Sequence, residues 1–412
     1  MTNTPKKKIL LAFSGGLDTS AIVPWLIENY NAEVINYCSD LGNAPDKEYL
    51  EKWSKQLGAS QLIFEDLKET FTKDFVFPTI KAGAIYQDDY LLGTALARPL
   101  ISERVAYWAK KLGCSAIAHG ATGKGNDQLR FEKSWAYLVP ELEMIAPWKI
   151  WKYTSRIELV DYLKSKGIEF KDKEKKYSID TNLLHRSCEG GILENIGEEY
   201  KQEEIYDWVA TSKALSDNAP TTLALKFEQG LPVSLNGEKL SPAEMLEKLN
   251  KIAGKNGIGV LDLVEERTIG IKSRGVYETP GGTILHFATR QLKHVVWDRG
   301  MLNTARTLSQ MYADIVYDGV WHCDNKIALD AYFDKAAETL TGEIGLKIEN
   351  GKIQVTKRSS PFSLFNSSAV SFEKDPEGLL AAAAGYSKVT SFNQKMLGKR
   401  AQVKADLAKA TK

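Results

Sequence analysis

Between Lys8 and Gly167 the chain repeatedly exchanges one hydrophobic period for another, and this alternation restricts its fold more than any other feature. Lys8 to Phe13 is a short apolar run, Ser20 to Tyr30 has helical spacing, and Glu33 to Tyr37 is apolar again. Asp46 to Leu57 reads as a helix closed by Gly58, and Gln61 to Phe64 as a third strand. Between Pro99 and Gly113, residues Ile101, Val105, Trp108 and Leu112 share one helical face. Cys114 to Ala118 follows as a strand, Met144 to Ala146 starts another, and Ser155 to Lys166 is a last helix stopped by Gly167. Strands separated by helices pair in parallel through right-handed crossovers. The prediction is an α/β fold: a doubly wound parallel sheet, with its ligand beyond the carboxyl ends of the strands.

After Gly167 the rhythm breaks. Lys171 to Lys176 is a charged run, read as a solvated link. Beyond Tyr177 the pattern is mixed α+β. Ser241 and Pro242 open a helix that continues to about Ala253. Gly345 to Lys357 reads as a hairpin around Asn350-Gly351. Lys388 to Lys412 is a helix with Phe392, Met396, Val403 and Leu407 along one stripe, placed to dock on another subunit. The expected division is 1–170, 171–375 and 376–412.

Composition removes several function classes. Basic and acidic side chains number 54 and 53, a formal charge of +1, which argues against broad electrostatic capture of nucleic acid or an acidic membrane. Only Ile9 to Phe13 form an apolar run before Ser14, too short for a signal-peptide core, and no later run approaches the ~20 apolar residues of a membrane span. Cys38, Cys114, Cys188 and Cys323 lie far apart without a CxxC pair, so a zinc site, a redox dithiol and a disulfide framework are all disfavoured. A cytoplasmic protein is expected, with no nucleic-acid partner and no membrane association.

The strongest local signal is Ser14-Gly15-Gly16-Leu17-Asp18-Thr19-Ser20, between a strand and a helix. Two glycines let the backbone approach a ligand closely, and the hydroxyls and amides at a helix N-terminus form a seat for an anion. It is not a Walker loop, because no lysine follows the glycines. The second Gly–Lys stretch, His119 to Asp127, fails as well: Ala118 stands five residues before Gly123, and no Ser or Thr follows Lys124. A GxGxxG fingerprint is missing after the first strand.

SGGLDTS resembles the pyrophosphate-binding loop of the N-type ATP pyrophosphatases, which split ATP between its α and β phosphates. Further motifs resemble one family among them, the argininosuccinate synthases, in its order and spacing. They are Tyr90 to Pro99 (YLLGTALARP), His119 to Phe131 (HGATGKGNDQLRF), Ile145 to Trp148, Gly191 to Asn195 and Lys272 to Pro280. The resemblance runs from about residue 8 to about residue 370. It implies an ATP-pyrophosphatase domain, a synthetase domain and an oligomerisation helix. It also implies ATP-dependent ligation of L-citrulline to L-aspartate through citrullyl-AMP, with Mg²⁺ on the phosphates, in a homotetramer. A tRNA-thiolating relative is the alternative, disfavoured by isolated cysteines and near-neutral charge.

Site residues carry over position by position. Ala12, Phe13, Ser14, Gly15, Gly16, Leu17, Asp18, Thr19 and Ser20 are expected to line ATP, with Ser39 and Gly120. Asp18 either orients the loop or touches Mg²⁺, and both readings stay open. Thr122, Asn126 and Asp127 are expected at aspartate, with Asn126 also reaching citrulline, and Lys124 supplies positive charge nearby. Asp18 and Asp127 are the carboxylates assigned to catalysis. Tyr90, Arg130, Ser178, Ser187, Glu265 and Tyr277 are expected at citrulline, an Arg suiting its carboxylate and a Glu its N–H groups. Ala95 stands where many relatives have serine, which removes one hydroxyl unless Thr94 replaces it. His119 is read as structural rather than as a general base.

Overall fold

The computed structural model describes residues 6–42, 44–123, 125–170, 176–215, 219–371, 373 and 375–410. Lys124 and all of the charged run except Lys176 lie outside them. The chain forms two compact units, Met1–Ser363 and Leu364–Lys412.

The first half of the larger unit is a parallel sheet of β1 (Lys7–Ala12), β2 (Ala32–Asp40), β3 (Gln61–Asp66), β4 (Ala116–His119) and β5 (Glu143–Ile145), in the order β3-β2-β1-β4-β5. Its helices are α1 (Leu17–Tyr30), α2 (Lys47–Gln56), α3 (Lys68–Thr70), α4 (Phe77–Ala82), α5 (Gly93–Lys111), α6 (Asn126–Leu138) and α7 (Arg156–Ser165); a π-helical stretch, Phe71–Val76, joins α3 to α4. Alternation along β1 sorts the two layers. Ile9 and Leu11 pack with Ile22 and Leu26 of α1 and Leu159 and Leu163 of α7, while Leu10 packs on the other face with Val105 and Ala109 of α5 and Trp135 of α6. The strand order reverses between β1 and β4, both parallel to each other, so a crevice opens beyond their carboxyl ends. Caps fix the helix starts: Asp46 accepts from the Tyr49 N–H, and Ser155 with Glu158 forms a capping box on α7.

Two helices that border the site differ from expectation. The α5 helix begins at Gly93, before Pro99, because burial of Ala95, Leu96, Ala97 and Leu100 outweighs the ladder bond that proline cannot donate. The α6 helix was not foreseen, since its inward-facing Phe131 and Trp135 follow directly on a glycine-rich stretch that reads as loop.

The second half comprises β6 (Ser178–Thr181), β7 (Arg186–Glu189), α8 (Gln202–Ile205), β8 (Thr221–Glu228), β9 (Leu231–Leu235), β10 (Glu238–Lys239), α9 (Pro242–Lys255), β11 (Val260–Glu266), β12 (Lys272–Glu278), α10 (Pro280–Val296), α11 (Arg299–Tyr317), α12 (Asp324–Ala337), β13 (Gly342–Glu349) and β14 (Lys352–Ser359). Two antiparallel sheets result, β10-β9-β8-β13-β14 and β11-β12-β7-β6. The β13–β14 hairpin turns at Asn350 and Gly351, with φ of 49° and 75°, the left-handed pair such turns need. Leu225, Phe227, Leu249, Leu285 and Tyr312 share one core with Phe71, Phe75, Leu96 and Leu100 from the crossover between β3 and β4. That crossover therefore ties the parallel sheet's switch point to the second half.

The smaller unit is α13 (Leu379–Ala410), whose first amides, at Leu379 and Leu380, donate to the Asp375 carboxylate at 2.7 and 2.8 Å. It starts nine residues before the expected Lys388, because Ala381–Ala384 are strong helix formers that carry no apolar period. Among the described residues, no helix is long and apolar enough to cross a membrane.

Candidate active site

Beyond β1 the chain turns through Phe13 to Gly16 into α1. Gly15 has φ of +74°, and a Cβ there would come within 2.6 Å of the Leu50 side chain. Gly16 is the N-cap of α1 and supplies no side-chain cap, so first-turn amides are left for a ligand. The loop is braced by the Ser14 hydroxyl, which accepts from the Gly16 N–H at 3.3 Å and lies 3.2 Å from the Thr19 hydroxyl. Gly120, beyond β4, comes so close to α1 that a Cβ would meet the Thr19 methyl at 2.8 Å.

These two loops bound a cavity of about 570 Å³. Ala12, Phe13, Ser14, Gly16, Asp18, Thr19, Ser39 and Gly120 line it, with Ile179 to Thr181 of β6 and Asn182 just beyond that strand. Ser20 does not line it: fully buried, its hydroxyl accepts the Trp53 indole N–H at 2.8 Å and donates to the Gly15 carbonyl. Leu17 is buried in the core beneath the loop. Burial pushes the Asp18 carboxyl up, partly offset by its own amide and by Arg156.

A second cavity, about 850 Å³, adjoins the first. One face of the sheet β11-β12-β7-β6 forms its wall. Tyr277 opposes Ser187, Ser187 opposes Asp180, Ser178 opposes Glu189, and Glu265 lies on the same side by the period of two. The other face is apolar, with Val276 and Cys188, or ion-paired, with Arg186 donating to Glu278 at 2.9 Å. Across the cavity α6 presents Asn126, Asp127 and Arg130, all at its N-terminal end, with Thr122 exposed at the rim. Tyr90 arrives from a loop in which Gln87, Asp88 and Leu92 all have positive φ, a strained approach for residues other than glycine.

The hydrogen bonds interlock. Glu265, 6% exposed, accepts from the Tyr277 hydroxyl on one oxygen and from the Tyr317 hydroxyl at 2.6 Å on the other. Asn126 donates to the Tyr317 hydroxyl at 2.9 Å and accepts the Thr268 N–H at 3.0 Å. Arg130 donates from Nε to the Tyr317 carbonyl and from Nη1 to Asp127, while its buried Nη2 has no partner among the described residues. Burial and the Glu265 charge hold the Tyr277 hydroxyl far above its ordinary range, so it stays a donor. His185 is kept neutral at about 3 by burial and by Arg98, and its Nε2 lies 2.9 Å from the Thr94 hydroxyl.

Arg98 stands where the two cavities meet. Its Nη2 donates to Asp127 at 2.7 Å and to Asp180 at 2.5 Å. Ala121, Asp127 and Asp180 line both cavities. Burial works to raise the Asp127 carboxyl, but Arg98 and Arg130 outweigh it and hold the group below its ordinary value.

The structure thus gathers Tyr90, Thr122, Asn126, Asp127, Arg130, Ser178, Ser187, Glu265 and Tyr277 around one space. Ala95 is elsewhere, buried in the core, and Thr94 lines the cavity beside it. His119 lies buried below the site, stacked on Phe131, with Nδ1 accepting the Ala121 N–H. Arg98, Asp180 and Tyr317 were missed as site residues. Arg98 stood inside a motif already singled out and Asp180 between two predicted serines, but Tyr317 gave no local signal.

Comparison with known proteins adds the following. A model of the arginosuccinate synthase N-terminal HUP domain matches residues 8–169, and one of the arginosuccinate synthase C-terminal domain matches residues 177–397. The argininosuccinate synthase of Caldanaerobacter subterraneus subsp. tengcongensis is 49% identical over 370 residues, 90% of this chain and 90% of that protein. That of Desulfitobacterium hafniense is 47% identical over 404 residues, 96% of this chain and 98% of its own. That of Parvibaculum lavamentivorans is 44% identical over 398 residues, 96% and 97% of the two chains. Among solved structures, a tRNA thiolase from Methanococcus maripaludis covers 41% of this chain and 61% of its own, at 14% identity and a TM-score of 0.28, a likeness too slight to carry an argument.

Proposed function

The chain belongs to the argininosuccinate synthase family, ligases that consume ATP, and on that premise we propose that it joins L-citrulline to L-aspartate while ATP is cleaved to AMP and pyrophosphate. The observation that carries this reading is the wall shared by the two cavities. A nucleotide seated on the Ser14–Thr19 loop and an amino acid seated against Glu265 and Arg130 have one place to meet, beside Asp127, Arg98 and Asp180. A ureido oxygen is a weak nucleophile on a group that expels nitrogen poorly, so it must first be esterified. It attacks the α-phosphorus, pyrophosphate departs, and the α-amine of aspartate then displaces AMP from the activated carbon. Such chemistry asks the protein for positioning and charge stabilisation, not for a nucleophile of its own.

In this reading the loop amides and the Ser14 and Thr19 hydroxyls hold what becomes pyrophosphate, and Ser39 and Gly120 flank the nucleoside. The free Nη2 of Arg130 takes the citrulline carboxylate. Glu265, Tyr90, Tyr277, Ser178 and Ser187 surround the rest of citrulline. Thr122 and Asn126 meet the aspartate carboxylates, Asn126 also reaching citrulline, and Asp127 has the sign for the aspartate ammonium group. Mg²⁺ fits this donor set. Among the described residues no cluster of three or more His, Cys, Asp or Glu forms a metal cage, and of the three carboxylates lining the nucleotide cavity Asp127 and Asp180 are held by Arg98, which leaves Asp18, raised by burial, outside that ion pair. An ion shared between phosphates and a single carboxylate suits magnesium, and when bound it neutralises phosphate charge.

We assign a nucleotide-binding domain to 1–170 and a synthetase domain to 171–375, a division near 170 that the matches over 8–169 and 177–397 support, and 376–412 to an oligomerisation helix of a homotetramer, a reading supported by the exposed apolar stripe of that helix. Free cysteines, three of them buried, support a cytoplasmic location. Omitting citrulline, aspartate or Mg-ATP in turn tests the reaction. Net conversion to AMP and pyrophosphate is expected only with all three present; sustained AMP formation with ammonia or glutamine in place of either amino acid contradicts the reading.

A further inference from the structure

Tyr317 is the last residue of α11, far in sequence from every group it touches, and fully buried. Its hydroxyl donates to Glu265 of β11 and accepts from Asn126 of α6; its carbonyl accepts from Arg130 of α6 at 2.9 Å. Its ring lies under the Arg130 guanidinium, 5.0 Å away, and stacks on Tyr86 with centroids 3.6 Å apart and planes within 7°. Three substrate-facing groups from two elements are thus oriented by one side chain and its own backbone.

Each contact has a directional consequence. Donation to Glu265 leaves the hydroxyl's lone pairs as acceptors, so Asn126 must point Nδ2 towards Tyr317 and Oδ1 towards the Thr268 amide. Glu265, holding one tyrosine O–H on each oxygen, cannot rotate, and its remaining lone pairs have fixed directions. With Nε on the Tyr317 carbonyl and Nη1 on Asp127, Arg130 is left with the buried Nη2 as its unpartnered donor. Burial and the nearby Glu265 charge keep the Tyr317 hydroxyl protonated throughout the ordinary pH range.

We propose that Tyr317 is the positioning residue of the citrulline subsite, setting the orientation of Asn126, Glu265 and Arg130 before substrate enters. The proposal rests on the functional reading above, in which those three groups face citrulline.

The test is Tyr317→Phe, which keeps the ring, its stack on Tyr86, the contact with Arg130 and the carbonyl, and removes only the hydroxyl. Steady-state kinetics are measured for citrulline, aspartate and ATP, together with the thermal midpoint. A hydrogen bond to a charged group is worth enough that the KM for citrulline should rise about tenfold, with the KM for ATP within about twofold, whatever fall in midpoint the lost bond brings. Tyr86→Phe, which loses only a bond to the Glu266 carbonyl, should leave the citrulline KM near wild type. An unaltered citrulline KM in Tyr317→Phe overturns the proposal and leaves the functional reading intact. So does a uniform loss of kcat accompanied by a fall in midpoint, which marks a structural role. Wild-type protein that needs no citrulline for turnover overturns the functional reading first.

Discussion

Arg98 is the residue on which the two cavities turn. One nitrogen of its guanidinium holds a carboxylate from α6 and another from β6, while the planar group lies over the Phe131 ring, a contact a lysine would not reproduce. On the proposed function, replacing it by glutamine removes the cation beside the place where charge would develop on the α-phosphoryl group. Arg98→Gln should therefore lower kcat roughly a hundredfold. Its pH dependence has a definite sign. Asp127 is held below its ordinary value because Arg98 and Arg130 outweigh burial; with Arg98 gone, burial is opposed by Arg130 alone and the pKa rises. The acid limb of the pH–rate profile should then move to higher pH in the variant. A limb that stays in place shows that Asp127 protonation does not govern it.

At the scale of elements, the sheet β11-β12-β7-β6 shows how a period of two separates chemistry from support: Glu265, Tyr277, Ser187 and Ser178 on one face, Val276 and Cys188 on the other. This separation was not readable beforehand, because strands of 4 to 7 residues bearing Ser, Tyr and Glu carry little apolar alternation of their own. The parallel strands were readable, since burial on both faces makes continuous apolar runs such as Ile9 to Leu11. Capping chemistry placed the start of α9 at Ser241 and Pro242, where a capping box stands. The entry of α5 departs from expectation because its first turn is held by Asn182, which donates to the Gly93 carbonyl at 3.0 Å, and by His185 beside the Thr94 hydroxyl, about 90 residues on, which no local pattern records. The α13 helix exposes Val389, Phe392, Val403 and Leu407, each more than half accessible. Such a stripe is costly to leave in water, and deletion of 388–412 should lower the mass seen by light scattering. An unchanged mass refutes its part in the proposed tetramer.

For the whole molecule, the proposed catalytic space depends on residues separated by 303 positions, from Ser14 in the β1 loop to Tyr317 in α11. The nucleotide end was legible because a glycine-rich turn between strand and helix has to be written locally. The amino-acid end became legible only through resemblance of several motifs taken together, and Tyr317 escaped because nothing near it in sequence announces a partner. What unites the two ends is the crossover from β3 to β4: its residues Phe71 to Leu100 bury themselves in the second core and thereby deliver Tyr90, Thr94 and Arg98 to the junction. On the proposed function, the junction is where an oxygen of the amino-acid substrate bonds to the α-phosphorus. Citrulline labelled with oxygen-18 in the ureido group, turned over with aspartate and Mg-ATP, should place the label in AMP, one atom per turnover by mass spectrometry. Label released into water or pyrophosphate, with unlabelled AMP, would contradict it.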